Sequence, residues 1–302
     1  MLRWHAFLLP ALGGAVADGV QGGERMGWGR QEIERFRRAL REGLQQLELD
    51  LTDMTVEIMV EYAITLASAQ EEQNLTALRE PEQVAWKHFV DSLMGWKVFR
   101  QWEEDKQVPR NQPGGQCQAE SERWLADLGA GAGFPGVVWA IVGDWHCLEI
   151  EAEGRKAEFI EGLRGLVGPG RLQVWHGRAE EAGRQEEWRE RFDVVVARAL
   201  ARLDVVAEYG LPLLRLGGGL VAYKGPEGPD EVQWVGPEVR GRLGGGEAKV
   251  FRCGLPGDWG RRSIVILEKV GHCEELYPRR VGIPEKRPLG GSRRRTGGGE
   301  GK

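Results

Sequence analysis

The string Asp127-Leu128-Gly129-Ala130-Gly131-Ala132-Gly133-Phe134-Pro135-Gly136 carries the most chemical information in this sequence. It follows an apolar run and precedes a stretch with helical spacing, and Pro135 suits the start of that helix. Glycines let a backbone turn sharply and approach a ligand with no Cβ in the way. A pyrophosphate loop usually spaces them Gly-x-Gly-x-x-Gly. Here they stand at alternate positions, 129, 131 and 133, with an acid two residues ahead of the first. A second feature is Glu151, which ends the run Cys147 to Ile150. A carboxylate at the end of a second strand can accept hydrogen bonds from both hydroxyls of a ribose. An ordinary surface glutamate competes with this reading, because Glu149, Glu153 and Glu158 lie nearby. The third feature is Gly177-Arg178-Ala179-Glu180, which either frames a base or simply opens a helix with acids at its positive end.

These residues need elements to position them. Ile33, Phe36, Leu40, Leu44 and Leu47 recur at helical steps, and Val56, Met59, Ala63 and Leu66 continue in a second helix. A third runs from Pro81 to about Phe99. From Trp124 the period changes to short apolar runs: Trp124–Leu128, Cys147–Ile150, Leu172–Trp175, Phe192–Ala197 and Gly219–Tyr223. Helix-length segments separate them, which implies βαβ units and a parallel sheet. Lys249–Phe251 and Ser263–Leu267 are expected to add strands at one edge.

The expected organisation has five parts. Residues 1–29 form a disordered extension or precede a later start at Met26; a signal peptide is the lesser reading of Ala6 to Val16, which Pro10, Gly13 and Gly14 interrupt. Residues 30–102 form an N-terminal helical region, and 103–122, with Pro109, Pro113 and Gly114, a linker or loop. Residues 123–275 form the strand-and-helix domain. Residues 276–302, with Arg293-Arg294-Arg295 among glycines, form a basic and mostly disordered tail.

Forty-five glycines exceed the usual share about twofold, yet with 14 prolines they fall short of wholesale disorder. The net charge of −5 lacks the basic footprint of a nucleic-acid binder. It is an average, however: from Arg279 to Lys302 eight Lys or Arg face two Glu. Arg35, Arg37, Arg38 and Arg41 add further basic charge. Cys117, Cys147, Cys253 and Cys273 have no metal-binding spacing and read as reduced thiols of a cytoplasmic protein.

The alternating glycines with Asp127 resemble the first motif of S-adenosylmethionine-dependent methyltransferases. Other strings sharpen the resemblance: Asn74-Leu75-Thr76-Ala77-Leu78-Arg79, Lys87-His88-Phe89-Val90-Asp91-Ser92-Leu93, and Phe134-Pro135-Gly136. Gly177-Arg178-Ala179-Glu180, Ala197-Arg198-Ala199, Tyr223-Lys224-Gly225 and Tyr277-Pro278-Arg279-Arg280 follow in order. Together they resemble the bacterial 16S ribosomal RNA guanine-N7 methyltransferases, the glucose-inhibited division protein B family, over residues 30 to 290. The resemblance implies a Rossmann-like α/β fold with a mostly parallel seven-stranded sheet, helices on both faces and an N-terminal helical extension. It implies S-adenosyl-L-methionine as cofactor, and as substrate a guanine in the 530 loop of 16S rRNA, as naked RNA or in the small ribosomal subunit. Cofactor contacts are expected at Gly129, Gly131, Phe134, Glu151, Ala179, Glu180 and Arg198. Candidate RNA contacts are Asn74, Arg79, His88, Lys224, Arg279 and Arg280. Ala130 stands where the family often has Thr or Ser, and Ser263 where histidine is common. A soluble monomer with no metal and no membrane contact is expected.

Two other readings compete. One is an NAD-dependent oxidoreductase, against which the glycine spacing counts. The other is a non-catalytic rRNA-binding assembly factor, against which the intact loop counts. Methylation at guanine N7 requires no prior deprotonation, so no general base or nucleophilic side chain is expected. Arg198, just after the apolar Val194-Val195-Val196, is the candidate for positioning; a structural ion pair is its competing role. His88, Asp91 and Ser92 share a helix face, either towards ligand or in a hydrogen-bond cluster between helices.

Overall fold

The computed structural model describes residues 27–106, 122–255 and 259–291. Three helical segments come first: α1 (Arg30–Gln46), α2 (Asp53–Gln73), and α3 (Pro81–Val84) continuing through a π-helical turn, Ala85–Val90, into α4 (Asp91–Asp105). Thr52 caps α2 by accepting from the Thr55 amide at 3.2 Å. Asn74 ends α2 in the left-handed conformation, φ 48°, which asparagine tolerates better than most residues. Then β1 (Arg123–Leu128), α5 (Gly136–Val142), β2 (Trp145–Glu151), α6 (Gly154–Gly162), α7 (Arg164–Val167) and β3 (Leu172–His176) alternate. They are followed by α8 (Ala179–Ala182), β4 (Phe192–Arg198), α9 (Leu203–Gly210) and β5 (Leu214–Lys224). The chain closes with α10 (Gly228–Glu231), α11 (Pro237–Leu243), β6 (Gly245–Gly254), β7 (Arg261–Lys269) and α12 (Ile283–Lys286).

The seven strands form one sheet in the order β3-β2-β1-β4-β5-β7-β6. The first five are parallel; β7 runs antiparallel to both β5 and β6. All seven expected runs are strands, and the last two lie at one edge. Strand order reverses between β1 and β4, so a crevice opens beyond their carboxyl ends.

Side chains alternate across the sheet and supply two cores. Leu125, Val194 and Val196 face α1, α2, α4 and α5, with Phe36, Met59, Phe89 and Trp139 buried between. Ala126, Leu128, Val195 and Ala197 face the other way, onto Leu203, Val206 and Leu243 of α9 and α11. The N-terminal helices therefore share a core with the sheet. Trp139 of α5 ties them together: its Nε1 donates to Ser92 O at 2.9 Å, and the Tyr223 hydroxyl donates to the same carbonyl at 2.8 Å.

Two expected boundaries need correction. Residues 103–105 belong to α4 and not to a linker. Residues 276–291 are packed and not a disordered tail: Tyr277 is buried, and Arg189 donates to its carbonyl at 2.7 Å. The segment is rich in Gly and Pro and has no apolar period. It is held by partners 71 to 102 residues away in sequence, which composition does not reveal. The expectations for residues 1–26, for 107–121 of the linker with Cys117, and for Arg293–Arg295 lie outside the described residues. Among those described, no helix is long and apolar enough to cross a membrane.

Candidate cofactor and substrate site

A cleft of about 490 Å³ opens at the carboxyl ends of the central strands. The loop after β1 forms its floor. Gly129, Gly131 and Gly133 have φ of 66°, 62° and 87°, a region L side chains rarely adopt. A Cβ added at Gly131 would meet nothing within 4 Å, so this turn presents bare backbone to open space. Gly136 serves packing instead, because a Cβ there would collide with Glu149 Oε1 and with Asp127.

Three buried groups underpin the loop. Asp127 Oδ2 accepts from the Gly136 amide at 2.7 Å, whereas Oδ1 is buried with no partner. Burial pushes the Asp127 carboxyl up to about 7, against the pull of that amide and of Arg198. Its register partner on β2, Glu149, is raised well above the usual carboxylate range by burial and by Asp127. The Tyr62 hydroxyl of α2 donates to Ala132 O and so clamps the loop to the helical layer.

Glu151 ends β2 as expected and turns into the cleft. Its Oε2 accepts from the Gly131 amide at 2.7 Å and its Oε1 from the Glu153 amide at 2.8 Å. Each oxygen keeps a lone pair, so two further donors, such as the hydroxyls of one ribose, can be accepted together. Beyond β3, Ala179 and Glu180 line the adjoining wall with Ile150 and Ala152. Glu180 Oε1 already accepts from the Gly282 amide at 2.8 Å and the Tyr209 hydroxyl at 3.2 Å. Glu180 thus draws the C-terminal segment over this end of the cleft, where Val281, Gly282 and Glu285 form a rim.

The opposite wall is built on Phe134, around Arg198 of β4. The Phe134 ring stacks with Tyr62 at 4.9 Å and with His88 at 4.6 Å. Arg198 lies over the same ring at 5.5 Å. It donates from Nη1 to Asp91 Oδ2 and Lys87 O, both at 3.0 Å, and from Nη2 to His88 Nδ1 at 3.1 Å. Asp91, 4 % exposed, gives its second oxygen to Arg262 Nε at 3.0 Å. Arg198 therefore has both roles weighed from its sequence: it is an ion-pair member and it lines the cleft. Burial, and next the Arg198 charge, lowers His88 to about 3 and keeps it neutral.

All seven residues expected at the cofactor, Gly129, Gly131, Phe134, Glu151, Ala179, Glu180 and Arg198, line this one cleft. The candidate RNA contacts divide. His88 lines it too, and Asn74, Arg79 and Arg280 are exposed. Lys224 and Arg279 need correction, since both are committed to internal carboxylates. Lys224 Nζ pairs with Glu231 at 2.8 Å, and Arg279 holds the wholly buried Glu208 through Nε and Nη2 at 2.8 and 2.6 Å. Ser92 is buried and its hydroxyl donates to His88 O one turn back at 2.6 Å, so it faces no ligand. Thr76, Leu75, Leu200, Tyr209 and the rim at 281–285 also line the cleft and were not expected there. Leu75 and Thr76 stand inside the string Asn74–Arg79; the rest carry no local signal. Among the described residues no group of three His, Cys, Asp or Glu side chains could hold a metal ion.

The donor set fits S-adenosylmethionine: bare glycine backbone at Gly131, a carboxylate at Glu151 with two acceptor oxygens, and apolar wall surface at Ile150 and Ala179. Comparisons agree with this chemistry. A family model described as rRNA small subunit methyltransferase G matches residues 113–237. A ribosomal RNA small subunit methyltransferase G of Symbiobacterium thermophilum is 36 % identical over 261 residues, covering 84 % of this chain and 98 % of the relative. The protein of the same name from Desulforamulus reducens is 33 % identical over 251 residues, covering 83 % and 97 %. With that identity over nearly the whole length of its relatives, the chain belongs to the ribosomal RNA small subunit methyltransferase G family.

Proposed function

We propose that this protein transfers the methyl group of S-adenosylmethionine to N7 of a guanine in the 530 loop of 16S rRNA. The observation that carries the reading is the single cleft in which the Gly131–Glu151 grip meets the His88–Phe134–Arg198 wall. The cofactor supplies a methyl group on a sulfonium, already activated for transfer. Guanine N7 supplies a lone pair and has no proton to lose. The protein's contribution is then alignment of the two, which favours rigid walls over acid–base groups. The chain provides such walls. Glu151 and the glycine loop orient the ribose and amino-acid ends, and Ala179 and Ile150 offer apolar surface to a base. Neutral His88, locked between Arg198 and Thr76, keeps a fixed shape instead of moving a proton. The protein acts in the cytoplasm as a monomer on rRNA or the maturing small subunit, with exposed Arg79 and Arg280 available to phosphates.

Two measurements test this. Calorimetry should show S-adenosylhomocysteine binding and no NAD binding. Mass spectrometry of 16S rRNA should show that 7-methylguanosine in the 530 loop disappears when the gene is deleted and returns with the intact chain. An undiminished modification in the deletion strain overturns the assignment.

A further inference from the structure

Thr76 sits in the turn between α2 and α3 and lines the cleft. Its backbone is pinned at both ends by the buried Gln70: Oε1 accepts from the Thr76 amide at 3.0 Å and the Gln70 amide nitrogen donates to Thr76 O. The hydroxyl is 2.8 Å from His88 Nε2, and the other ring nitrogen, Nδ1, is 3.1 Å from Arg198 Nη2. A guanidinium can only donate. Nδ1 therefore accepts, the ring proton sits on Nε2, and Nε2–H donates to Thr76 Oγ1. The Leu78 amide donates to the same oxygen at 3.2 Å. Both lone pairs of Oγ1 are then used, and its hydrogen has no acceptor among the described residues. A threonine hydroxyl can usually donate or accept; this one can only donate.

We propose that the Thr76 hydroxyl donates to O6 of the target guanine and, held in donor polarity by Arg198 and His88, selects guanine over adenine. Guanine presents O6 beside N7 as an acceptor, whereas adenine presents an amino donor at the same place. Donor would meet donor, so adenine is refused while N7 stays open to the methyl group. The topology favours base over cofactor as the occupant. The ribose grip is on β2 and the adjoining wall follows β3, on one side of β1. Thr76 and His88 join Arg198 on the β4 side of the same cleft, away from that grip. Arg198 and His88 act here as positioning residues. The inference rests on the proposed function and names how it recognises its base.

The test uses full-length protein with Thr76→Val, which keeps the shape and loses the hydroxyl, and Thr76→Ser, which keeps the hydroxyl. Substrates are rRNA carrying guanine or 2-aminopurine, which lacks O6 but retains N7, at the target. Thr76→Val should lower kcat/KM on guanine about tenfold or more, with S-adenosylhomocysteine affinity unchanged. Thr76→Ser should retain most activity. Wild type and Thr76→Val should be equal on 2-aminopurine. Equal loss by Thr76→Val on both substrates, or a matching loss of S-adenosylhomocysteine affinity, overturns the proposal. If Thr76→Val fails to fold, the wild type alone decides: equal kcat/KM on guanine and 2-aminopurine refutes it. A wild type that binds S-adenosylhomocysteine but methylates neither RNA refutes the proposed function instead.

Discussion

Asp91 and Arg198 face each other at 3.0 Å across the junction between the N-terminal helices and the end of β4. Asp91 also holds Arg262 of β7 at 3.0 Å, so one carboxylate joins helix α4, the central sheet and the edge hairpin. The pair lies beside the cleft, and its geometry sets where the Arg198 guanidinium can reach. Asp91→Asn should leave two arginines short of a negative partner. Arg198 and Arg262 keep some contact with water, so the loss should be about 2–3 kcal/mol, at the low end for a broken buried pair. Urea denaturation reads it; an unchanged midpoint would show that the arginines find other partners.

Glu151 accepts from the Gly131 and Glu153 amides with its two oxygens. An amide side chain has one oxygen, so Glu151→Gln must turn an NH2 towards one of these N–H groups or towards the ribose. S-adenosylhomocysteine affinity should fall by about tenfold to a hundredfold, the cost of one to two unmet hydrogen bonds. Calorimetry at constant salt reads the change, and an unaltered Kd would remove Glu151 from the cofactor site.

His88 has a pH signature. Its folded value is lowered to about 3 from the ordinary 6.5 by burial and then by Arg198. Between those values the unfolded chain binds a proton that the folded chain does not. The stability from neutral His88 is therefore fully present above about pH 6.5 and lost as pH falls, at up to about 1.4 kcal/mol per unit. In His88→Gln this component is gone. The difference in unfolding free energy between wild type and variant should be flat from about pH 7 to 8 and shrink towards about pH 5. A constant difference throughout would mean that His88 titrates alike in both states.

Arg279 and Arg280 are neighbours with opposite duties. Arg279 neutralises Glu208, which has no exposure, whereas Arg280 is exposed. Arg279→Ala should destabilise the fold by about 3 kcal/mol or more, because a carboxylate is left buried without a partner. Arg280→Ala should leave stability alone and lower the slope of log K for RNA against log salt by about one. Thermal melts and salt-dependent RNA binding separate the two; a reversed pattern would exchange the assignments.

Much of the fold was legible because its signals are local. Seven apolar runs became seven strands, and the apolar steps at Phe36, Leu40 and Leu44 became the buried stripe of α1. The glycine loop was legible because alternate glycines with positive φ are a demand of the backbone itself. The division of the basic residues was not. Lys224, Arg279 and Arg280 look alike in sequence, and only their packed carboxylate partners separate them: Glu231, seven residues beyond Lys224, and Glu208, 71 residues before Arg279. Residues 276–291 were misjudged for the same reason, since Arg189, Glu180 and Glu208 hold a segment that has no periodic pattern of its own.

By itself the sequence determined the alternation of strand and helix, the cofactor loop, and Glu151 at the end of β2, each of which depends on neighbours a few residues away. The tertiary structure alone decided that Arg198, His88 and Thr76 form one chain of hydrogen bonds, over separations of 110 and 12 residues. The direction of a hydroxyl proton follows from which partners surround it in space, and no spacing along the chain encodes that.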